Sequence, residues 1–63
     1  MPTIVIEGPP LGDIGKKRRL EAETSASASA AYGLPVEAMV VIIKENPAEN
    51  VGVGGRLLSD RKK

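Results

Sequence analysis

The second residue of the chain is the one best suited to do chemistry. Pro2 follows Met1 directly, and removal of Met1 leaves a secondary amine, held in a ring, at the start of the apolar run Thr3-Ile4-Val5-Ile6. An α-amino group titrates near pH ~8 in water and falls when its ammonium form is desolvated, so an apolar setting favours the free amine at neutral pH. Such an amine, anchored to a strand, has little freedom to lose and can act as a general base. With Met1 attached, the same nitrogen is a tertiary amide with no basic lone pair. The small residue behind Met1 favours its removal, which makes Pro2 the expected N-terminus. Proline is also an ordinary way to begin a strand, so Pro2 alone identifies no activity.

The remaining chemistry is narrow. The chain has no Cys and no His, which excludes disulfides, thiolate and imidazole metal sites, and Ser-His-Asp or Cys-His catalysis. No metal site is expected. Val51-Gly52-Val53-Gly54-Gly55 is rich in glycine, but no Lys-Ser/Thr pair and helix follow it, as a phosphate-cradling loop requires. It reads as a hairpin or bulge lying close to another backbone. Arg56, immediately after it, is the best-placed cation for an anionic ligand, with Lys16, Lys44 and Arg61 behind it; a solvated surface charge is the plainer role for each. Lys16-Lys17-Arg18-Arg19 would spread around a whole helix circumference, Glu21 and Glu23 follow, and Tyr32 is the lone aromatic for stacking. A nucleic-acid partner is therefore not expected.

The elements that must position these groups are few. In 63 residues with formal net charge +1 there is room for one domain, residues 1–63. A chain this short buries about 60% of the surface its unfolded form exposes. Its larger apolar residues are Val, Ile, Leu and Met, with neither Phe nor Trp. Without disulfide or metal, self-association is the remaining route to stability. No apolar run is long enough to span a bilayer, and Glu7 ends the first one too early for a signal peptide; a cytoplasmic setting is expected.

Thr3–Ile6 reads as a buried strand stopped by Gly8-Pro9-Pro10. Asp13 can cap a helix from near Ile14 to Tyr32, closed by Gly33 and Pro35. The Ser/Ala tract 24–31 has a strand's alternation but lacks branched bulk, and is read as helix. Leu20, Thr24, Ser27, Ala28 and Ala31 are expected to share its apolar face. Ala38-Met39-Val40-Val41-Ile42-Ile43 is the strongest strand signal and, apolar on both parities, is expected to be covered on both faces. Two strands joined through a helix make a right-handed parallel unit. The helix covers one face of it, and a second copy is the economical cover for the other.

In order and length these pieces resemble the 4-oxalocrotonate tautomerase family: a proline behind the initiator Met, a strand, a helix, Val40-Val41-Ile42-Ile43-Lys44-Glu45, then Val51-Gly52-Val53-Gly54-Gly55. The resemblance covers nearly the whole chain. It implies an α/β (α+β) fold, a β-α-β protomer with parallel strands and a C-terminal β-hairpin, assembled as dimers and usually as a hexamer, whose hairpins pack on neighbouring protomers and help to form the active sites. It also implies a cofactor-independent isomerase. In it Pro2 moves a proton in an unsaturated 2-keto or 2-hydroxy acid, and a cation or hydrogen-bond donor steadies the dienolate oxygen. The chain departs from the family's pattern at the substrate-binding positions. Val40 stands where the second strand of the family has an arginine, Pro9-Pro10-Leu11-Gly12 where its other arginine lies, and Val51 where the pocket wall has an aromatic. Arg56 is the candidate replacement cation. The alternative is a catalytically weak or inactive oligomeric scaffold or binding protein of the same family.

Overall fold

The computed structural model describes residues 1–61. β1 (Thr3–Gly8) leads through Pro9–Gly12 into α1 (Ile14–Tyr32), and a 3₁₀ turn at Val36–Ala38 brings the chain to β2 (Val40–Glu45). A second 3₁₀ turn at Ala48–Asn50 precedes β3 (Gly52–Val53) and β4 (Arg56–Leu57), and a third follows at Leu58–Asp60. β1 and β2 pair in parallel, with Thr3 opposite Val40, Val5 opposite Ile42 and Glu7 opposite Lys44. β3 and β4 pair antiparallel as a separate ribbon. This is the β-α-β fold with a C-terminal hairpin that the sequence predicts.

Local chemistry explains the boundaries. Asp13 is extended, and its Oδ1 accepts from the backbone N–H groups of Gly15 at 2.8 Å and Lys16 at 3.4 Å, satisfying two donors that the first helical turn leaves free. Gly33 closes the helix in the left-handed conformation, its N–H donating to the Ser29 carbonyl at 2.9 Å. The first strand runs two residues beyond its β-branched core, to Gly8. The second starts at Val40, because Pro35 and the turn over Val36–Ala38 occupy the residues before it. Gly54 and Gly55 have φ of 64° and 85°, the pair of positive angles that a two-residue type I′ hairpin turn requires. A Cβ on Gly52 would lie 3.3 Å from the Arg56 carbonyl oxygen, the close backbone approach expected of this segment.

The inner face of the helix differs from the expected one at two positions. Lys17, Leu20, Glu21, Thr24, Ser25, Ala28 and Ser29 are half-buried, whereas Ser27 and Ala31 are exposed. The stripe therefore follows the 3.6-residue period through Ser25 and Ser29. Ser29 is held there by its hydroxyl, which donates to the Leu34 carbonyl across the helix end.

Ile4 and Ile6 of β1, with Val41, Ile43 and Glu45 of β2, share the sheet face on the α1 side. Glu45 reaches Lys17 of the helix, which fixes that parity. On the opposite face Val5 and Ile42 sit side by side, 48% and 41% exposed. The expectation that β2 is covered on both faces is not met within one chain. Among the described residues none is fully buried. The radius of gyration is 15.0 Å, against about 11 Å for a compact chain of this length. The accessible surface is 4911 Å², against about 3,900 Å² for a folded monomer of this mass. A single protomer is thus a folded layer with one face left open. Among the described residues no helix is long and apolar enough to cross a membrane.

Candidate active site

Pro2 sits at the mouth of the parallel pair. Its carbonyl accepts from the Val40 N–H at 3.0 Å, so the last backbone bond before β1 fixes Pro2 against the first residue of β2. Pro2 is half-buried, and Met1 beyond it is 88% exposed. The neighbours that the topology brings to this end are Thr3, Val40 and the segment Leu34–Met39, which carries an acid, Glu37, and no base.

The opposite end of the sheet holds a cleft, a space of about 350 Å³ between the strand ends and the base of the hairpin, lined by Glu7, Gly8, Pro9, Asn46, Ala48, Val51 and Leu58. Its walls are tied by backbone bonds from Asn46 to the Gly8 carbonyl and from Leu58 to the Val51 carbonyl, both 2.8 Å. The Asn46 amide donates to Glu7 Oε1 at 3.3 Å.

Of the sequence-predicted residues, the structure thus joins Val40 to Pro2 and leaves Val51 and Arg56 elsewhere. Val51 lines the cleft. Arg56 is exposed on β4, paired across the ribbon with Val53. The six-residue strands between the two ends span about 20 Å at ~3.3 Å per residue. Within one protomer Arg56 therefore belongs to the end of the sheet away from Pro2.

The cations are segregated in the same sense. Lys16, Lys17, Arg18 and Arg19 stand at the start of α1, which Lys17 fastens to the end of β2. Lys44 lies opposite Glu7, and Arg56 and Arg61 belong to the hairpin and the turn after it. Among the described residues, every Lys and Arg lies in the half of the protomer away from Pro2.

Glu45 is the positioning residue that sequence reasoning missed. Its Oε2 accepts from the Leu11 N–H at 3.0 Å and meets Lys17 Nζ at 3.0 Å, clamping the Pro9–Gly12 loop and the helix start onto the end of β2. The Leu11 hydrogen bond, followed by Lys17, holds its carboxyl below the ordinary value of 4.5. A carboxyl depressed in the folded state contributes stability that is present above pH 4.5 and is lost as pH falls through its folded value. At a fixed protomer concentration, Glu45→Gln is expected to lower the urea midpoint at pH 7, with the gap from wild type closing on acidification below pH 4.5. A gap independent of pH overturns this account of the clamp.

The comparisons with known proteins agree with this architecture. The family model described as "Tautomerase enzyme" matches residues 2–61. The crystal structure of DmpI from Archaeoglobus fulgidus is similar over 94% of this chain and 100% of that one, at 44% identity and a TM-score of 0.83. TomN, a 4-oxalocrotonate tautomerase homologue of the tomaymycin biosynthetic pathway, is 33% identical over 95% of this chain and 92% of that one, with a TM-score of 0.85. A heterohexamer 4-oxalocrotonate tautomerase from Chloroflexus aurantiacus is 26% identical over 97% of this chain and 95% of that one, with a TM-score of 0.73. No curated protein sequence matches the chain. A family match spanning almost every residue, on a parallel β-α-β unit that opens with Pro2 and closes with the glycine hairpin, means that this chain belongs to the 4-oxalocrotonate tautomerase family of the tautomerase superfamily.

Proposed function

We propose that the protein is a homo-oligomeric isomerase that moves a proton through an unsaturated 2-keto or 2-hydroxy acid, with the nitrogen of Pro2 as general base and no cofactor. Members of the superfamily are generally isomerases or related enzymes. The observation that carries the reading is the anchoring of Pro2: its carbonyl is held by Val40 at 3.0 Å, next to an apolar strand start. Once Met1 is removed, the ring nitrogen is a secondary amine whose direction is set by the sheet. It takes a proton from the carbon beside the carbonyl and returns it further along the conjugated chain. The developing enolate oxygen and the carboxylate call for positive charge, for which Arg56 is the candidate; Val40 and Val51 leave the wall apolar. The open sheet face and the excess surface of one protomer support self-association, and a hexamer is the assembly we favour by analogy with the heterohexameric relative. The cytoplasm is the proposed setting.

Ketonisation of phenylenolpyruvate by wild type and Pro2→Ala, both beginning at residue 2, tests the reading. The variant keeps a terminal amine but loses the ring that makes it secondary and fixes its direction, so kcat/KM is expected to fall about 100-fold with the assembly intact. Equal rates remove Pro2 from the mechanism.

A second reading, an assembled scaffold or binding protein with weak or no catalysis, is favoured by one observation: no cation lies at the Pro2 end of the protomer among the described residues. Wild-type ketonisation no faster than buffer, in protein shown to begin at Pro2, selects it.

A further inference from the structure

We infer that the site at Pro2 selects acids with one carboxylate and an uncharged, apolar remainder over acids with a carboxylate at each end, and that Glu37 is the residue that turns the second carboxylate away. This rests on the proposed role of Pro2 and concerns which of the unsaturated 2-keto and 2-hydroxy acids it admits.

Three observations converge on the segment that leads into β2. First, Val40, whose N–H holds the Pro2 carbonyl at 3.0 Å, is half-buried. The residue held directly against Pro2 is therefore apolar. Second, Leu34 and Val36, on the connection into β2, are 41% and 45% exposed and present further apolar surface at this end. Third, Glu37 stands among them, exposed. Its backbone is fixed: the N–H groups of Ala38 and Met39 close the turn Val36–Ala38 by donating to the Pro35 and Val36 carbonyls, both at 3.0 Å. Glu37 lies three positions before Val40, so their Cα atoms are within about 11 Å of each other. That is close to the distance over which ~0.1 M salt screens a charge.

A carboxylate brought against this wall loses water to apolar groups and meets the like charge of Glu37. A ligand with one carboxylate can turn its other end to the wall. A ligand with a carboxylate at each end places one of them there whichever way it lies at Pro2. Selection of this kind comes from an unfavourable contact with the rejected ligand and asks for no extra contact with the accepted one.

The ratio of two kcat/KM values reads this out. Phenylenolpyruvate has one carboxylate and an aromatic tail, whereas 2-hydroxymuconate has a carboxylate at each end of a diene. Wild type, Glu37→Gln and Glu37→Lys, each beginning at Pro2 and checked for wild-type size, are assayed with both. Glu37→Gln is expected to move the ratio toward the diacid by about 3-fold, chiefly through KM, and Glu37→Lys by about 10-fold. Both shifts are expected to shrink in about 0.5 M salt; shifts indifferent to salt overturn Glu37's charge as the cause. A substitution that only loosened the fold would slow both substrates together and leave the ratio where it was. An unchanged ratio in both variants overturns the inference while leaving Pro2 as the base. Wild-type turnover of both acids no faster than buffer overturns the proposed function, and the inference with it.

Discussion

Protein that keeps Met1 is expected to ketonise phenylenolpyruvate about 100- to 10,000-fold more slowly than protein that begins at Pro2, at any pH. The two forms can be made by chemical synthesis, one beginning at Met1 and one at Pro2, and compared after refolding at the same protomer concentration. Met1 is 88% exposed and makes none of the backbone bonds that tie β1 to β2, so its presence leaves the pairing of Pro2 with Val40 intact. What changes is one nitrogen. In the longer form it is a tertiary amide whose lone pair is delocalised into the carbonyl, and no shift of pH restores a base. The loss is therefore the whole contribution of the general base, about 100- to 10,000-fold, and it appears in kcat. Equal rates for the two forms would show that another group carries the proton.

Ile42→Asp is expected to have the largest effect on stability. Ile42 and Val5 form the apolar centre of the sheet face that α1 leaves open. If a second copy covers that face, Asp removes about 2 kcal/mol of apolar burial per protomer and adds a carboxylate that must be desolvated or left in the interface. Since no described residue of one protomer is fully buried, it has little with which to survive alone. Sedimentation at micromolar concentration is expected to show loss of the assembly, and far-UV circular dichroism loss of most of the helix signal. The mirror change on the solvent-facing helix surface, Ala26→Asp, is the control, since Ala26 is exposed on α1. An Ile42→Asp protein of wild-type size and stability would mean that this face is solvated.

Much of the fold was legible because local signals were strong and agreed with one another. Asp13, Gly33 and Pro35 bound the helix to the residue, and the glycines after Val51 announced the hairpin turn. The Ser/Ala tract was legible as helix, but its inner face was not. Alanine and serine differ too little in hydrophobicity for a sequence to show which of them points inward, and the structure chose Ser25 and Ser29 over Ser27 and Ala31. The family was legible in the order of elements, whereas the site was legible only at Pro2. Arg56 was visible as a cation next to a turn, but no local pattern records that the chain leads it away from Pro2. Glu45 could have been found by parity: counted along β2, it falls on the face of Val41 and Ile43, where an acid calls for a partner.

The turn at Gly54 and Gly55 has a consequence for association. Its mirror-image dihedrals match the natural twist of a two-stranded ribbon, and any side chain at Gly52 would crowd the Arg56 carbonyl. The turn thus biases the arm toward its paired shape before it meets anything. What association must still order is the rest of a marginal ribbon and the rotamers of a few side chains, less than closing an unbiased loop would cost.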